Sequence, residues 1–160
     1  KGIKSYILDS VTMLLEEKAN YALSQITNGN VSLGFHTQKK NKNDTLKEEF
    51  TVEIYRDGDQ VQFVDLSKGE RCRVSFAVNY ALKALGMYYH GLNLNFEWYD
   101  EVLDGLDEIG CYQVVQFLRK ELNTYESIYV VSHNDNVKCM FDKNLIVEKT
   151  NGKSVLRNDC

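Results

Sequence analysis

The hydrophobic period of this chain changes along its length, and that change constrains the fold more than any other feature. Residues 3–26 place Ile3, Ile7, Val11, Leu14, Leu15, Ala19, Ala22 and Ile26 at helical spacing. This predicts a helix with one apolar face. Glu16, Glu17 and Lys18 mark its wet side, and Asn28-Gly29-Asn30 ends it. The period then falls to two. Val31, Leu33 and Phe35 alternate with other residues, as do Phe50, Val52 and Ile54, then Val61 and Phe63. Arg56-Asp57-Gly58-Asp59 is a turn signal between two of these strands. Residues 38–48 (QKKNKNDTLKE) are polar and predict an exposed loop, whose Lys39, Lys40, Lys42 and Lys47 read as solvated or as contacts to DNA phosphates.

From residue 66 onward strands and helices alternate. Val74, Ala77, Val78, Ala81, Leu82 and Leu85 predict a helix over 69–90. A strand over 94–99 follows, then a helix over 108–123 through Val114, Val115, Phe117, Leu118 and Leu122. Residues 127–132 (SIYVVS) predict a buried strand. Leu145-Ile146-Val147 and Ser154-Val155-Leu156 flank Asn151-Gly152, a hairpin signal. The order implies an α/β fold, with a partly parallel sheet covered by helices.

Composition narrows the classes. The length of 160 residues fits one domain. Hydrophobic residues at 43% and charged residues at 26% exclude a disordered or collagen-like chain. A net charge of −4 excludes a globally basic nucleic-acid binder, though not a local patch. Cys72, Cys111, Cys139 and Cys160 form no CxxC pair, which argues against a zinc ribbon and for free thiols in a reducing compartment. No run approaches the ~18–20 apolar residues of a membrane span, and no signal peptide is visible. A cytoplasmic location is expected. There is no proline, and the chain starts at Lys1 rather than Met, which reads as a piece of a longer protein.

Four short motifs carry chemistry. Leu66-Ser67-Lys68-Gly69-Glu70 precedes the long helix, and Ser67 with Glu70 forms a capping box. A helix start with a serine hydroxyl, bare amides and a glycine also suits phosphate. Asp100-Glu101 ends an apolar strand, where one acid can hold Mg²⁺ through water and the other can take a proton from water. Leu106-Asp107 follows. Ser132-His133-Asn134 ends the next strand, on the rim where open α/β sheets place ligands.

In this order and spacing the motifs resemble the carboxyl-terminal lobe of an ABC-type ATPase head, as in the SMC and SbcC families. LSKGE at 66–70 looks like the signature LSGGE, and FEWYDE at 96–101 like the Walker B strand. The resemblance makes Asp100 a magnesium ligand and Glu101 the general base. Asp107 becomes the D-loop aspartate, and His133 in VVSHN the switch histidine near the γ-phosphate. Ser67, Lys68, Gly69 and Glu70 become contacts to ATP on a second head. The flanks, a long amphipathic helix and a few strands before the signature, resemble the SbcC and SMC layout, and the mix of LSKGE with DEVLDGLDE at 100–108 is most like phage-encoded SbcC-type recombination exonuclease subunits. Residues 1–27 are the expected root of a coiled coil, 28–65 the antiparallel strands, and 66–160 the α/β lobe. A transporter ATPase would match residues 1–65 poorly.

Three residues depart from the family pattern: Lys68 for the first glycine, Glu97 inside the strand, and Val102 where relatives carry proline. The phosphate loop GxxxxGK(S/T) is absent: Gly152-Lys153-Ser154 lacks its earlier glycine, because residue 147 is Val147. The resemblance therefore implies half an ATPase, using ATP and Mg²⁺. An amino-terminal Walker A lobe would complete it, and it would pair with a second head. It would regulate an SbcD-like metallophosphoesterase nuclease on DNA ends, away from membranes. The other expectation is an SMC- or RecN-like DNA-tethering clamp with no nuclease partner.

Overall fold

The computed structural model describes residues 3–40 and 46–159, except the side chains of residues 3–6, 38–40, 46–48, 135, 158 and 159. Helix α1 spans Ile3–Ile26. Its second half supplies the core with Leu15, Ala19, Ala22, Leu23 and Ile26, whereas Ile7, Leu8 and Met13 near its start are exposed. The helix ends where Asn28 and Gly29 turn left-handed, at φ 56° and 81°.

Strands β1 (Val31–Lys40), β2 (Leu46–Arg56) and β3 (Asp59–Val61) form an antiparallel sheet in that order. Val31, Leu33 and Phe35 alternate inward as expected. The free edge of β1 is covered by α1. Asn20 Nδ2 donates to Leu33 O and its Oδ1 accepts from Leu33 N, both at 2.8 Å, and Phe35 N donates to Glu16 Oε2 at 2.9 Å. These bonds occupy edge groups that would otherwise invite another strand. Glu16, expected on the wet side, is thus half-buried with a structural task.

Three strand expectations need correction. The backbone of Gln38, Lys39 and Lys40 pairs with that of Glu48, Lys47 and Leu46, so most of the expected 38–48 loop is strand. Ladder bonds join backbone groups and need no apolar side chain, so polarity alone misread the segment. Residues 41–45, and the side chains on which the basic patch Lys39, Lys40, Lys42 and Lys47 rests, lie outside the described residues. In β2, Phe50 and Val52 are exposed although Ile54 is buried. Finally, β3 stops at Val61, and Phe63 opens a 3₁₀ turn over Phe63–Asp65.

Helix α2 (Lys68–His90) starts on the expected capping box and ends at Gly91, whose φ of 59° is left-handed. Strands β4 (Phe96–Asp100) and β5 (Ser127–Val131) pair in parallel, in register Trp98↔Tyr129 and Asp100↔Val131. Helix α3 (Glu108–Glu121) connects them. The chain then runs into the hairpin of β6 (Asn144–Thr150) and β7 (Lys153–Asp159), turning at Asn151 and Gly152 with both φ positive. The architecture is α/β. Its core is centred on Phe117, whose ring lies 5.8 Å from Tyr21, 5.8 Å from Phe76 and 5.2 Å from Tyr80. Helix α1 packs across α2, α3 and β1.

The parallel pair is covered on one face only among the described residues. Phe96 and Trp98 point outward, and Trp98 stacks on the likewise outward-facing Tyr129 with centroids 5.8 Å apart. Strand β5 is therefore half-buried, not buried as its composition suggested. Glu97, the polar residue within β4, faces inward. Its carboxylate pairs with Lys83 and accepts from Tyr99 Oη. Lys83 Nζ lies 4.9, 5.4 and 5.1 Å above the rings of Tyr80, Tyr99 and Tyr125. Burial first, and then the hydrogen bond to Glu97, push the Tyr99 hydroxyl pKa well up.

Candidate functional site

Parallel pairing brings two chain segments to one rim. Where β4 ends, Asp100 lies opposite Val131, and Glu101 N donates to Val131 O at 2.9 Å. Glu101 then takes φ 53°, a left-handed conformation disfavoured for a side chain with a Cβ. This turn lifts its carboxylate toward the end of β5. Glu101 Oε1 lies 3.1 Å from His133 Nε2, and both side chains are exposed. Beside them Ser132 Oγ donates to Asp104 Oδ1 at 2.8 Å and accepts from Asn134 N at 3.1 Å. Asp100 is exposed at the same strand end.

The rim has the makings of proton-transfer chemistry. It holds two consecutive acids that diverge at the strand exit, one imidazole within reach of the second acid, and open access for a ligand. Asp104 and Ser132 belong to this constellation and were not named as candidates from the sequence. Ser132 stood next to His133 in the motif, but the bond to Asp104 joins residues 28 apart and had no local signal.

The LSKGE segment forms a second group. Glu70 N donates to Ser67 Oγ at 3.2 Å, and Ser67 N donates to Glu70 Oε2 at 2.8 Å. Arg56 Nη1 lies 3.6 Å from the same Glu70 oxygen. The Ser67 amide, then its hydroxyl, then Arg56 hold the Glu70 carboxyl below its usual range. Ser67 and Lys68 are exposed, so the helix start is accessible. Asp107 caps α3 by accepting from Gly110 N at 2.9 Å. It also accepts from Arg73 of α2 at 3.2 Å, which ties it to the LSKGE helix. The eight candidate residues thus fall into two places: Asp100, Glu101 and His133 on the rim, and Ser67, Lys68, Gly69, Glu70 and Asp107 around the start of α2.

Other features carry less chemistry. An open groove of about 440 Å³ between the antiparallel sheet and α2 is lined mainly by Leu33, Val52, Ile54, Phe63, Val74 and Val78, and none of its lining residues is ionisable. Cys72, Cys111 and Cys139 are free thiols, and Cys160 lies outside the described residues. Burial raises the Cys111 thiol pKa, which disfavours the thiolate. Among the described residues there is no cluster of three or more His, Cys, Asp or Glu placed to hold a metal on protein ligands alone, and no helix long and apolar enough to cross a membrane.

No family model matches the chain. It is 29% identical over 133 residues, 83% of its length, to the probable exonuclease subunit 2 of Escherichia phage T5, covering 20% of that protein. It is 26% identical over 159 residues, 99% of its length, to the DNA double-strand break repair Rad50 ATPase of Saccharolobus solfataricus, covering 18% of it. A solved chain from work on ATP-driven dimerization and DNA-stimulated activation of SMC ATPases superposes with a TM-score of 0.75 at 14% identity, over 98% of this chain and 89% of that one. In sequence the chain is similar to a phage exonuclease subunit and a Rad50 ATPase, and its fold is that of SMC ATPase head domains. The chain spans about a fifth of the length of the curated relatives it matches. The two groups of candidate residues have distinct places, the strand rim and the start of the long helix.

Proposed function

We propose that this chain is the carboxyl-terminal lobe of an ATP-hydrolysing SbcC-like head, which pairs with a second head on ATP and regulates a partner nuclease in DNA double-strand-break processing. The observation that carries this reading is the meeting of Glu101 and His133 beside Asp100 on the β4–β5 rim. In relatives, the names Rad50 ATPase and exonuclease subunit support the repair and nuclease setting over a clamp without a nuclease.

The residues divide the work. Glu101 accepts a proton from the attacking water, and its left-handed backbone aims the carboxylate at the rim. His133 holds Glu101 before ATP arrives, then donates from its ring to a terminal phosphate oxygen. Asp100 is the residue that would hold Mg²⁺. One exposed carboxylate plus waters and phosphates suits that ion. When bound, Mg²⁺ would neutralise charge on the transferred phosphoryl group. Ser67 and the amides of Lys68, Gly69 and Glu70 would contact ATP held by a second head. The amino-terminal Walker A lobe would supply the lysine and amide cradle and would cover Phe96, Trp98 and Tyr129. Residues 1–27 would then be the coiled-coil root, 28–65 its antiparallel platform and 66–160 the catalytic part of the lobe.

The test is a comparison of two proteins. The 160-residue chain alone should not hydrolyse ATP, whereas the lobe joined to its Walker A partner should. In the joined protein, Glu101→Gln should lower kcat by roughly 100-fold to 10,000-fold and trap an ATP-bound dimer in size-exclusion chromatography. Strong hydrolysis by the isolated chain, or full activity of the Glu101→Gln protein, overturns the proposal.

A further inference from the structure

The first turns of α2 and the loop between β4 and α3 are joined through one guanidinium. Arg73 Nη2 donates to Asp107 Oδ1 at 3.2 Å and to Gln113 Oε1 at 3.4 Å. The same Asp107 oxygen caps α3 through Gly110 N. Two glycines make room for the group. A Cβ on Gly110 would lie 2.6 Å from Arg73 Nη2 and 2.7 Å from Asp107 Oδ1, and a Cβ on Gly69 would lie 3.3 Å from Arg73 Nη1. Next to Arg73, Cys72 fits the same loop, since a Cβ on Gly105 would overlap its Sγ. Gln113 extends the chain of contacts, donating to Asn28 Oδ1 at 3.0 Å where the backbone leaves α1.

Stability alone is a poor account of this arrangement. The Arg73 side chain is only 15% exposed, against 68% for Asp107. Its Nε is buried and has no hydrogen-bond partner among the described residues. A guanidinium taken out of water with a donor unsatisfied contributes little net stabilisation. What it does fix is direction, because the planar fork holds its donors in a rigid geometry. One edge of that fork lies against Gly69 in the LSKGE segment, and the other grips Asp107.

We propose that Arg73 is a positioning residue that locks the Asp107 loop to the Ser67–Glu70 helix start, so that both segments meet a nucleotide on a second head as one rigid edge. The catalytic consequence rests on the head-pairing reading above; the clamp itself rests on the contacts just given. In the full-length protein, Arg73→Gln should lower kcat roughly tenfold to 100-fold while leaving the KM for ATP within about twofold. Asp107→Asn should act through the same contact, so the double variant should be no slower than the slower single one. Amide hydrogen exchange gives a readout independent of activity. Arg73→Gln should speed exchange at Gly110 N by about tenfold and leave the β6–β7 amides unchanged. Multiplying effects in the double variant, a loss confined to KM, or unaltered exchange at Gly110 overturns the proposal. A wild-type protein without ATPase activity would instead remove the functional reading, and the exchange measurement would still decide on the clamp.

Discussion

Glu97 and Glu101 stand four residues apart, one within β4 and one just past its end, and each pairs with a cation-capable side chain. Glu97 is 4% exposed, and its carboxylate is held by the Tyr99 hydroxyl and by Lys83, whose ammonium lies over three aromatic rings. Glu101 is in the open, on a left-handed backbone, with only His133, at 3.1 Å, paired to it among the described residues. The inner carboxylate is buried with a partner on each oxygen, Lys83 and Tyr99, so its geometry is fixed and it binds α2 to β4. The outer pair is solvated and strained, so it contributes little to stability and remains free to exchange partners. The same kind of pair thus serves the fold in one place and suits chemistry in the other, and burial makes the difference.

The largest effect that could break this contrast lies at the inner pair. Lys83→Met leaves the Glu97 carboxylate buried without its cation and should cost about 3 kcal/mol of stability, read by urea unfolding. Lys83→Met with Glu97→Leu should recover most of that loss, because a well-packed apolar pair replaces the charges at little net cost. A single variant as stable as wild type would show that Glu97 does not need Lys83. A smaller change of opposite sign is expected at the rim. Glu101→Gly relieves the left-handed strain and should stabilise the chain by about 1 kcal/mol, while removing the proposed base. Lower thermal stability in that variant would mean that the Glu101 side chain supports the fold after all. The smallest effect belongs to His133→Ala, which should shift stability by less than about 0.5 kcal/mol in the same denaturant titration. A loss comparable to that of Lys83→Met would erase the distinction between the two pairs.

Much of the scaffold was legible along the chain because its causes are local. Ser67 and Glu70 announced their helix start, and Asn151-Gly152 announced the hairpin. The apolar stripe of residues 3–26 gave α1, although among the described residues its buried apolar side chains run only from Leu15 onward. Local pattern failed where backbone pairing replaced side-chain alternation, as in the ladder between 38–40 and 46–48. It also failed on β4, where the polar residue points inward and Trp98 outward. Lys83, 14 positions earlier on α2, makes Glu97 tolerable inside, and no period within β4 signals that partner.

The candidate site divides the same way. Residue types and order alone determined which side chains could do chemistry: Asp100 and Glu101 at a strand end, His133 at the next, Ser67 at a helix start. Their order along the chain also carried the family resemblance, since a motif is a property of neighbouring residues. Only the tertiary structure decided which of them meet. Parallel pairing of β4 with β5 set Glu101 beside His133 and Asp104 beside Ser132. Packing of α2 on the β4–α3 loop set Arg73 between two glycines and onto Asp107. The physical reason is that capping, turns and periodicity act over a few residues, whereas the Asp104–Ser132 and Arg73–Asp107 bonds join groups 28 and 34 positions apart and exist only once the core has closed.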